Sequence, residues 1–184
     1  MDFYIDIKIK PDAEMRASML LNKVYSKLHK ALFDINADDV GVSFPETKIL
    51  LGHVLRIHSN KKKLLDLDIT NWLGGLVSYC DKSDVLIVQE EFENRRVSRW
   101  QSNMSEAHLR RLILRGSIDA KEVKGYKAKM FAAQMTTLPF LELESASNGK
   151  RHRRYIKVSK PQNESVLGKF DTFGLSKTAT IPWF

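Results

Sequence analysis

The chain has 184 residues with 30 Lys+Arg against 22 Asp+Glu, a formal charge of +8, and 43% hydrophobic and 9% aromatic residues, which excludes disorder and fits one large domain or two small ones. A lone Cys80 cannot make an internal disulfide or a Cys-based zinc site, the longest charge-free stretches, Ile69–Cys80 and Met130–Leu141, are 12 residues each and too short for a bilayer, and acids occupy the N-terminus where a signal peptide needs bases, so a cytoplasmic, non-membrane protein is expected. Residues 1–92 hold 12 basic and 14 acidic side chains and residues 93–184 hold 18 and 8, so the second half alone carries the excess that suits an anionic partner.

Residues 3–10 alternate, with Phe3, Ile5, Ile7 and Ile9 on one side and Tyr4, Asp6, Lys8 and Lys10 on the other, which predicts a half-buried strand. Pro11-Asp12 stops it, and Met15, Met19, Val24, Leu28 and Ala31 recur at helical spacing to about residue 33. Val40–Phe44, closed by Pro45, and Ile49–Ile57 read as strands. Ser59 is a candidate cap for a helix through Lys61-Lys62-Lys63-Leu64-Leu65 toward Trp72, Cys80 reads as a small core residue, and Val85–Val88 as a short strand. The order β-α-β-β-α-β is the split βαβ, ferredoxin-like arrangement, expected to occupy residues 1–93.

The acidic run Gln89–Glu93 then gives way to Arg95-Arg96-Val97-Ser98-Arg99-Trp100-Gln101, which suggests a domain boundary and a basic α+β domain over residues 94–184. Ser105 can cap a helix with Leu109, Leu112 and Ile113 inward and Gly116 as its stop. A second helix is expected over about residues 120–133, carrying Lys121, Lys124, Lys127 and Lys129. Leu138–Ser145 and Arg151–Val158 read as strands around Ser147-Asn148-Gly149, since Asn-Gly is a strong hairpin signal. The apolar tail from Phe173 to Phe184 is expected to dock. The whole is an α+β fold, with an arginine-rich helix and a β-hairpin in its second part.

On that helix His108, Arg111 and Arg115 fall at i, i+3 and i+7, with Arg110 beside them, a row of cations suited to phosphates or a groove lined by acceptors. Alone, such a run is as often a solvated basic face. Two further basic elements strengthen the binding reading: Arg95, Arg99 and Gln101 share a strand parity, and Arg151-His152-Arg153-Arg154-Tyr155 follows the turn. Arginines interleaved with His, Trp and Tyr fit RNA, whose unstacked bases rest on such planes, while duplex DNA stays open. No histidine pair has zinc-motif spacing and there is no Walker-type loop, so neither a metal nor a cofactor is implied. The compatible cutting chemistry is attack by the RNA's own 2′-hydroxyl, helped by a histidine. By pattern, His29 is a boundary histidine one turn after Tyr25, His53 and His58 are structural, and His152 could stack or touch phosphate as readily as catalyse. The residues alone reach a basic RNA binder, with nuclease chemistry left open.

Taken together, Tyr4-x-Asp6-Ile7, Lys27-Leu28-His29-Lys30-Ala31-Leu32, Gly41-Val42-Ser43-Phe44-Pro45, Leu55-Arg56-Ile57-His58, Arg99-x-Gln101, Leu138-Pro139-Phe140, Ser145-x-Ser147-x-Gly149, Gly174-Leu175-Ser176-Lys177 and Pro182-Trp183-Phe184 resemble, in order and spacing, the repeat-processing endoribonucleases of subtype I-F CRISPR systems. The resemblance spans essentially the whole chain. It implies a metal-independent enzyme that cuts the CRISPR precursor transcript at the 3′ base of the repeat stem-loop, leaving a 2′,3′-cyclic phosphate and a 5′-hydroxyl. It implies retention of the crRNA 3′ hairpin, membership of the type I-F effector complex beside a backbone subunit, and contact with target DNA only through that complex.

By position, the resemblance makes His29 the general base or proton relay and Ser145 the residue that holds the 2′-hydroxyl. Arg99 and Gln101 would read the foot of the stem. RNA contacts are further implied for His108, Arg110, Arg111 and Arg115, and for Ser147, Lys150, Arg151, His152 and Arg153. Three departures stand out: Phe173 replaces an active-site tyrosine, His152 replaces a stacking phenylalanine, and Leu112 and Gly116 stand where arginines are expected. They keep open a second reading, a hairpin-binding subunit without cleavage, beside a third in which phosphate contacts alone bind RNA or DNA without regard to sequence.

Overall fold

The computed structural model describes residues 1–10, 13–102, 104–134, 136–145 and 149–184, so Ser147 and Asn148 of the expected turn lie outside the described residues. The chain is a mixed α+β protein whose paired strands with an assigned register all run antiparallel. It forms two compact units, residues 1–99 with 139–184, and residues 100–138.

In the first unit β1 (Phe3–Ile9) is followed by α1 (Ala17–Asp34), β2 (Gly41–Ser43), β3 (Val54–Ser59), α2 (Lys61–Ile69), β4 (Cys80–Lys82) and β5 (Leu86–Ile87). The sheet order is β2-β3-β1-β4, with β5 also on β1. Alternation does what the sequence pattern asks: Ile5, Ile7 and Ile9 are buried against Leu20, Leu21, Val24, Tyr25, Leu28, Ala31 and Leu32 of α1. Met19, expected in that stripe, is exposed, because the buried arc of α1 centres on Leu21, Val24 and Leu28.

Three local expectations shift. The strand expected from Ile49 begins only at Val54: Ile49 and Leu50 are exposed, Gly52 has φ +82°, and the His53 N–H donates to Glu46 Oε2 at 2.7 Å, so this stretch turns. Asn60, not Ser59, caps α2 by accepting from the Lys63 N–H at 2.8 Å, while buried Ser59 donates to the Asp39 carbonyl. The strand expected over residues 85–88 shortens to β5, and an unexpected strand, β4, precedes it; both pair with β1 and are separated where the Ser83 N–H donates to the Asp6 carbonyl.

The remaining strands are β6 (Glu93–Arg95) and β7 (Val97–Trp100), then β8 (Phe140–Glu144), β9 (Arg151–Val158) and β10 (Ile181–Trp183). They form a β7-β9-β8 sheet and a β10-β6 pair. Leu141 and Leu143 of β8 and Ile156 of β9 join the same core as α1, and the Glu142 N–H donates to Asn22 Oδ1 at 3.1 Å. This shared core is why the hairpin groups with the N-terminal half and why the compact units do not divide at residues 93/94. The tail docks as its composition suggests: Arg56 donates to both Asp6 carboxylate oxygens, at 2.7 and 2.9 Å, and to the Phe184 carbonyl at 3.0 Å, with its guanidinium between the Tyr4 and Phe184 rings.

The second unit contains α3 (Glu106–Leu114) and α4 (Ala120–Gln134). Ser105 caps α3 by accepting from the His108 N–H. At the other end Gly116 has φ +67°, its N–H donates to the Ile113 carbonyl and that of Ser117 to the Leu112 carbonyl, the two bonds of a left-handed glycine stop. Asp119 and Glu122 cap α4 reciprocally. Leu109 is the buried residue of α3; Leu112 is half-buried and Ile113 is 46% exposed, so the apolar stripe is narrower than its sequence suggests. Half-buried His108 instead meets Tyr126 of α4, ring centroids 6.3 Å apart. No helix among the described residues is long and apolar enough to cross a membrane.

Candidate active site and basic surfaces

Helix α1 presents Tyr25, His29 and Phe33 at i, i+4 and i+8, one above another. A loop from late in the chain meets them. Asp171 closes that loop, its Oδ1 accepting from the Phe173 and Leu175 N–H groups, both at 2.9 Å. Gly174 holds φ +69° with its Cα pressed on Val42, and a Cβ there would lie 2.6 Å from Val42 Cγ1. Two consecutive carbonyls of the loop face α1. Tyr25 Oη donates to the Phe173 carbonyl at 2.8 Å, and His29 Nδ1 lies 2.9 Å from the Thr172 carbonyl. A carbonyl can only accept, so Nδ1 carries the ring proton and Nε2 of the neutral imidazole keeps a free lone pair. Burial pushes the Tyr25 phenol far above its ordinary value, so it stays a neutral donor.

Phe173 is the keystone of this arrangement. The His29 ring stacks on it at 3.5 Å between centroids and 11° between planes, and the Arg154 guanidinium carbon also lies 3.5 Å from its centroid. Two groups that close cannot share a face, so Phe173 separates His29 from Arg154. A cavity of about 660 Å³ opens here, lined by His29, Lys30, Phe33, Ser145, His152, Arg154 and Phe173 among others. Phe33 is 66% exposed, a flat apolar face at the edge of the cavity. Ser145 sits at the root of the β8–β9 hairpin, where its N–H donates to the Lys150 carbonyl and its carbonyl accepts from the Gly149 N–H. Strand alternation on β9 turns His152 and Arg154 to the cavity side, and Arg154 is only 6% exposed. Burial above all lowers the Arg154 pKa, reinforced by the like charge of Arg99 and opposed by the Asp171 carboxylate.

Of the residues expected from the sequence, the cavity therefore brings together His29, Ser145, His152 and Phe173. Arg99 is exposed on β7, and Lys150 is exposed at the hairpin. Arg151 is exposed beside a second groove of about 410 Å³, shared with Asn22 and Lys23 of α1 and Glu142 of β8. Arg153 lies on the opposite face of β9 from His152, where it donates to Glu142 Oε1 at 3.4 Å and stacks over Phe140. In the second unit Gln101, Arg110, Arg111 and Arg115 are exposed, and Arg111 Nε donates back to the Ala107 carbonyl. Sequence reading missed Arg154, Lys30 and Phe33. Parity with His152 was the available signal for Arg154, and i+4 spacing from His29 for Phe33. Among the described residues no three His, Cys, Asp or Glu side chains converge as metal ligands.

Residues 4–184 match the family described as CRISPR-associated protein (Cas_Csy4). A protein of Escherichia coli (strain UTI89 / UPEC) named CRISPR-associated endonuclease Cas6/Csy4 is 37% identical over 185 residues, covering 100% of this chain and 100% of that protein. A Pseudomonas aeruginosa (strain UCBPP-PA14) protein of the same name is 34% identical over 187 residues, again covering 100% of each. A solved structure described as the CRISPR RNA processing endoribonuclease Cas6b aligns over 98% of this chain and 100% of that one at 9% identity, with a TM-score of 0.30, too loose a likeness to bear on fold or activity. The chain belongs to the Cas6/Csy4 family of CRISPR-associated endonucleases.

Proposed function

We propose that the protein cuts CRISPR repeat RNA at the 3′ base of its stem-loop by attack of the RNA's own 2′-hydroxyl. The observation that carries this is the His29 ring, with Nδ1 tied to the Thr172 carbonyl and Nε2 free, on a cavity that also contains Ser145. Nε2 takes the 2′-hydroxyl proton as O2′ bonds to phosphorus and the P–O5′ bond breaks; the proton then returns, directly or through water, to the departing 5′ oxygen. The products are a 2′,3′-cyclic phosphate and a 5′-hydroxyl. Because RNA carries its own nucleophile, no metal is needed to generate one. Ser145 holds the 2′-hydroxyl, and exposed Phe33 offers a face on which a base can stack.

The strand order β2-β3-β1-β4 with the β1-α1-β2-β3-α2-β4 sequence supports a ferredoxin-like scaffold for this chemistry. Seven Lys+Arg against three Asp+Glu in residues 100–138 support hairpin binding by the second unit, through Arg110, Arg111 and Arg115 with His108 and Gln101 behind them. Arg99, Ser147, Lys150, Arg151, His152 and Arg153 complete the RNA-binding set. The protein keeps its product and joins the crRNA-guided complex as the subunit at the 3′ hairpin.

Phe173 favours the second reading, a hairpin-binding subunit without cleavage, because a phenyl ring can neither give nor take a proton. Repeat-hairpin cleavage in excess EDTA separates the two. On the nuclease reading the native protein cuts, His29→Ala is slower by about 10²–10⁴-fold, and a 2′-deoxy nucleotide before the cut abolishes cleavage. Native protein that binds but leaves the hairpin intact supports the second reading, and cutting of the 2′-deoxy RNA overturns 2′-hydroxyl attack.

A further inference from the structure

Arg154 is charged, 6% exposed, and has no hydrogen bond or ion pair to any described residue; its Nε is fully buried without a partner. Its guanidinium carbon lies 3.5 Å from the centre of the Phe173 ring. The carboxylate that acts on it, Asp171, has Oδ1 already taken by two backbone N–H groups, and Arg99 adds a like charge. Buried arginines are ordinarily paired with carboxylates or carbonyls, since desolvating a lone cation is costly. A guanidinium with a buried, unpartnered nitrogen in the wall of a cavity offers its donors to an anionic oxygen that enters there.

We infer that Arg154 is the anion-binding group of this cavity, whose guanidinium takes a non-bridging oxygen of the scissile phosphate and stabilises the charge that builds there as O2′ attacks. The inference rests on the nuclease reading above and adds to it a residue outside the expected set. The two functions divide across one ring. His29 on one face of Phe173 moves the proton, and Arg154 on the other keeps its own proton and holds the phosphoryl oxygen. Phe173 is a positioning residue for both. A planar fork of donors is preorganised for two phosphate oxygens, and a drier site strengthens the pair relative to water.

Single-turnover cleavage of the repeat hairpin by native protein, Arg154→Met and Arg154→Lys tests this, with phosphorothioate in place of each non-bridging oxygen at the cut. Arg154→Met is expected to slow cleavage by about 10²–10³-fold while binding the 2′-deoxy hairpin nearly as tightly as native protein. Lys restores part of the rate, and the sulfur penalty on one diastereomer shrinks in the Met variant. Native-like cutting by Arg154→Met overturns the inference, as does a slow variant that keeps the full sulfur penalty, which marks a purely structural role. If Arg154→Met does not fold, arginine-labelled native protein decides by NMR. The Arg154 Nε–H resonance must shift on adding the 2′-deoxy hairpin, and an unmoved resonance overturns the inference. Native protein that fails to cut removes the nuclease reading and this one with it; native cutting with an indifferent Arg154 variant removes this one alone.

Discussion

His29 illustrates how little a side chain's type says before its neighbours are known. On helical pattern it is a boundary histidine; with Thr172 accepting from Nδ1 it becomes a ring of defined tautomer. Tyr25, one turn earlier, sets the same loop through the next carbonyl, so it acts on His29 at one remove. Tyr25→Phe leaves the Phe173 carbonyl without its donor inside the core. It is expected to cost about 1–3 kcal/mol, read as a lower urea midpoint at unchanged m, and to slow cleavage because the ring under His29 is released. Unchanged cleavage in a destabilised Tyr25→Phe would show that the hydrogen bond serves stability alone. Arg154 was hidden for a different reason. In a run of four basic residues out of five nothing in composition says which cation is buried, and only the register with Leu141 separates Arg154 from exposed Arg153.

Among the elements, those with one face on the core were legible almost to the residue. The alternation of β1 and the span of β9 follow the pleat, because a slip of one position would turn every apolar side chain to solvent. The edge β4 has no such pattern of its own; pairing with β1 makes it a strand. Strand β3 carries a polar residue that sequence reading treats as merely structural and that has a measurable signature. His58 is fully buried, with Nε2 2.8 Å from the Ser43 hydroxyl, and burial above all holds its pKa down to about 3 from 6.5. Above the unfolded value both states are neutral. As pH falls below 6.5 the unfolded chain takes up a proton that the folded ring refuses until about 3, so stability drops across that window. The loss approaches about 1.4 kcal/mol per pH unit. Urea midpoints at pH 7 and pH 4.5 should separate more in the native protein than in His58→Gln, and equal separation would assign the acid sensitivity elsewhere.

For the whole molecule, a charge of +8 is less informative than where it sits. Residues 100–138 hold seven bases and three acids in a unit whose helix α3 turns Arg110 and Arg111 to solvent. If these contact phosphates, Arg110→Ala and Arg111→Ala should each weaken hairpin binding and each reduce the slope of log affinity against log salt by about 1. A weakened affinity with an unchanged slope would mean contacts to bases. The first unit is built in another way, by closure of the chain's two ends on one another. Tyr25 and His29 are held by carbonyls 148 and 143 residues later. That separation has a consequence in time. While the chain is still on the ribosome, α1 can fold, but its histidine has neither its acceptor nor its stacked ring until residues 172–176 have emerged. The arrangement around His29 is thus completed late in synthesis: a chain that stops before residue 172 lacks both the acceptor for Nδ1 and the ring on which the imidazole stacks.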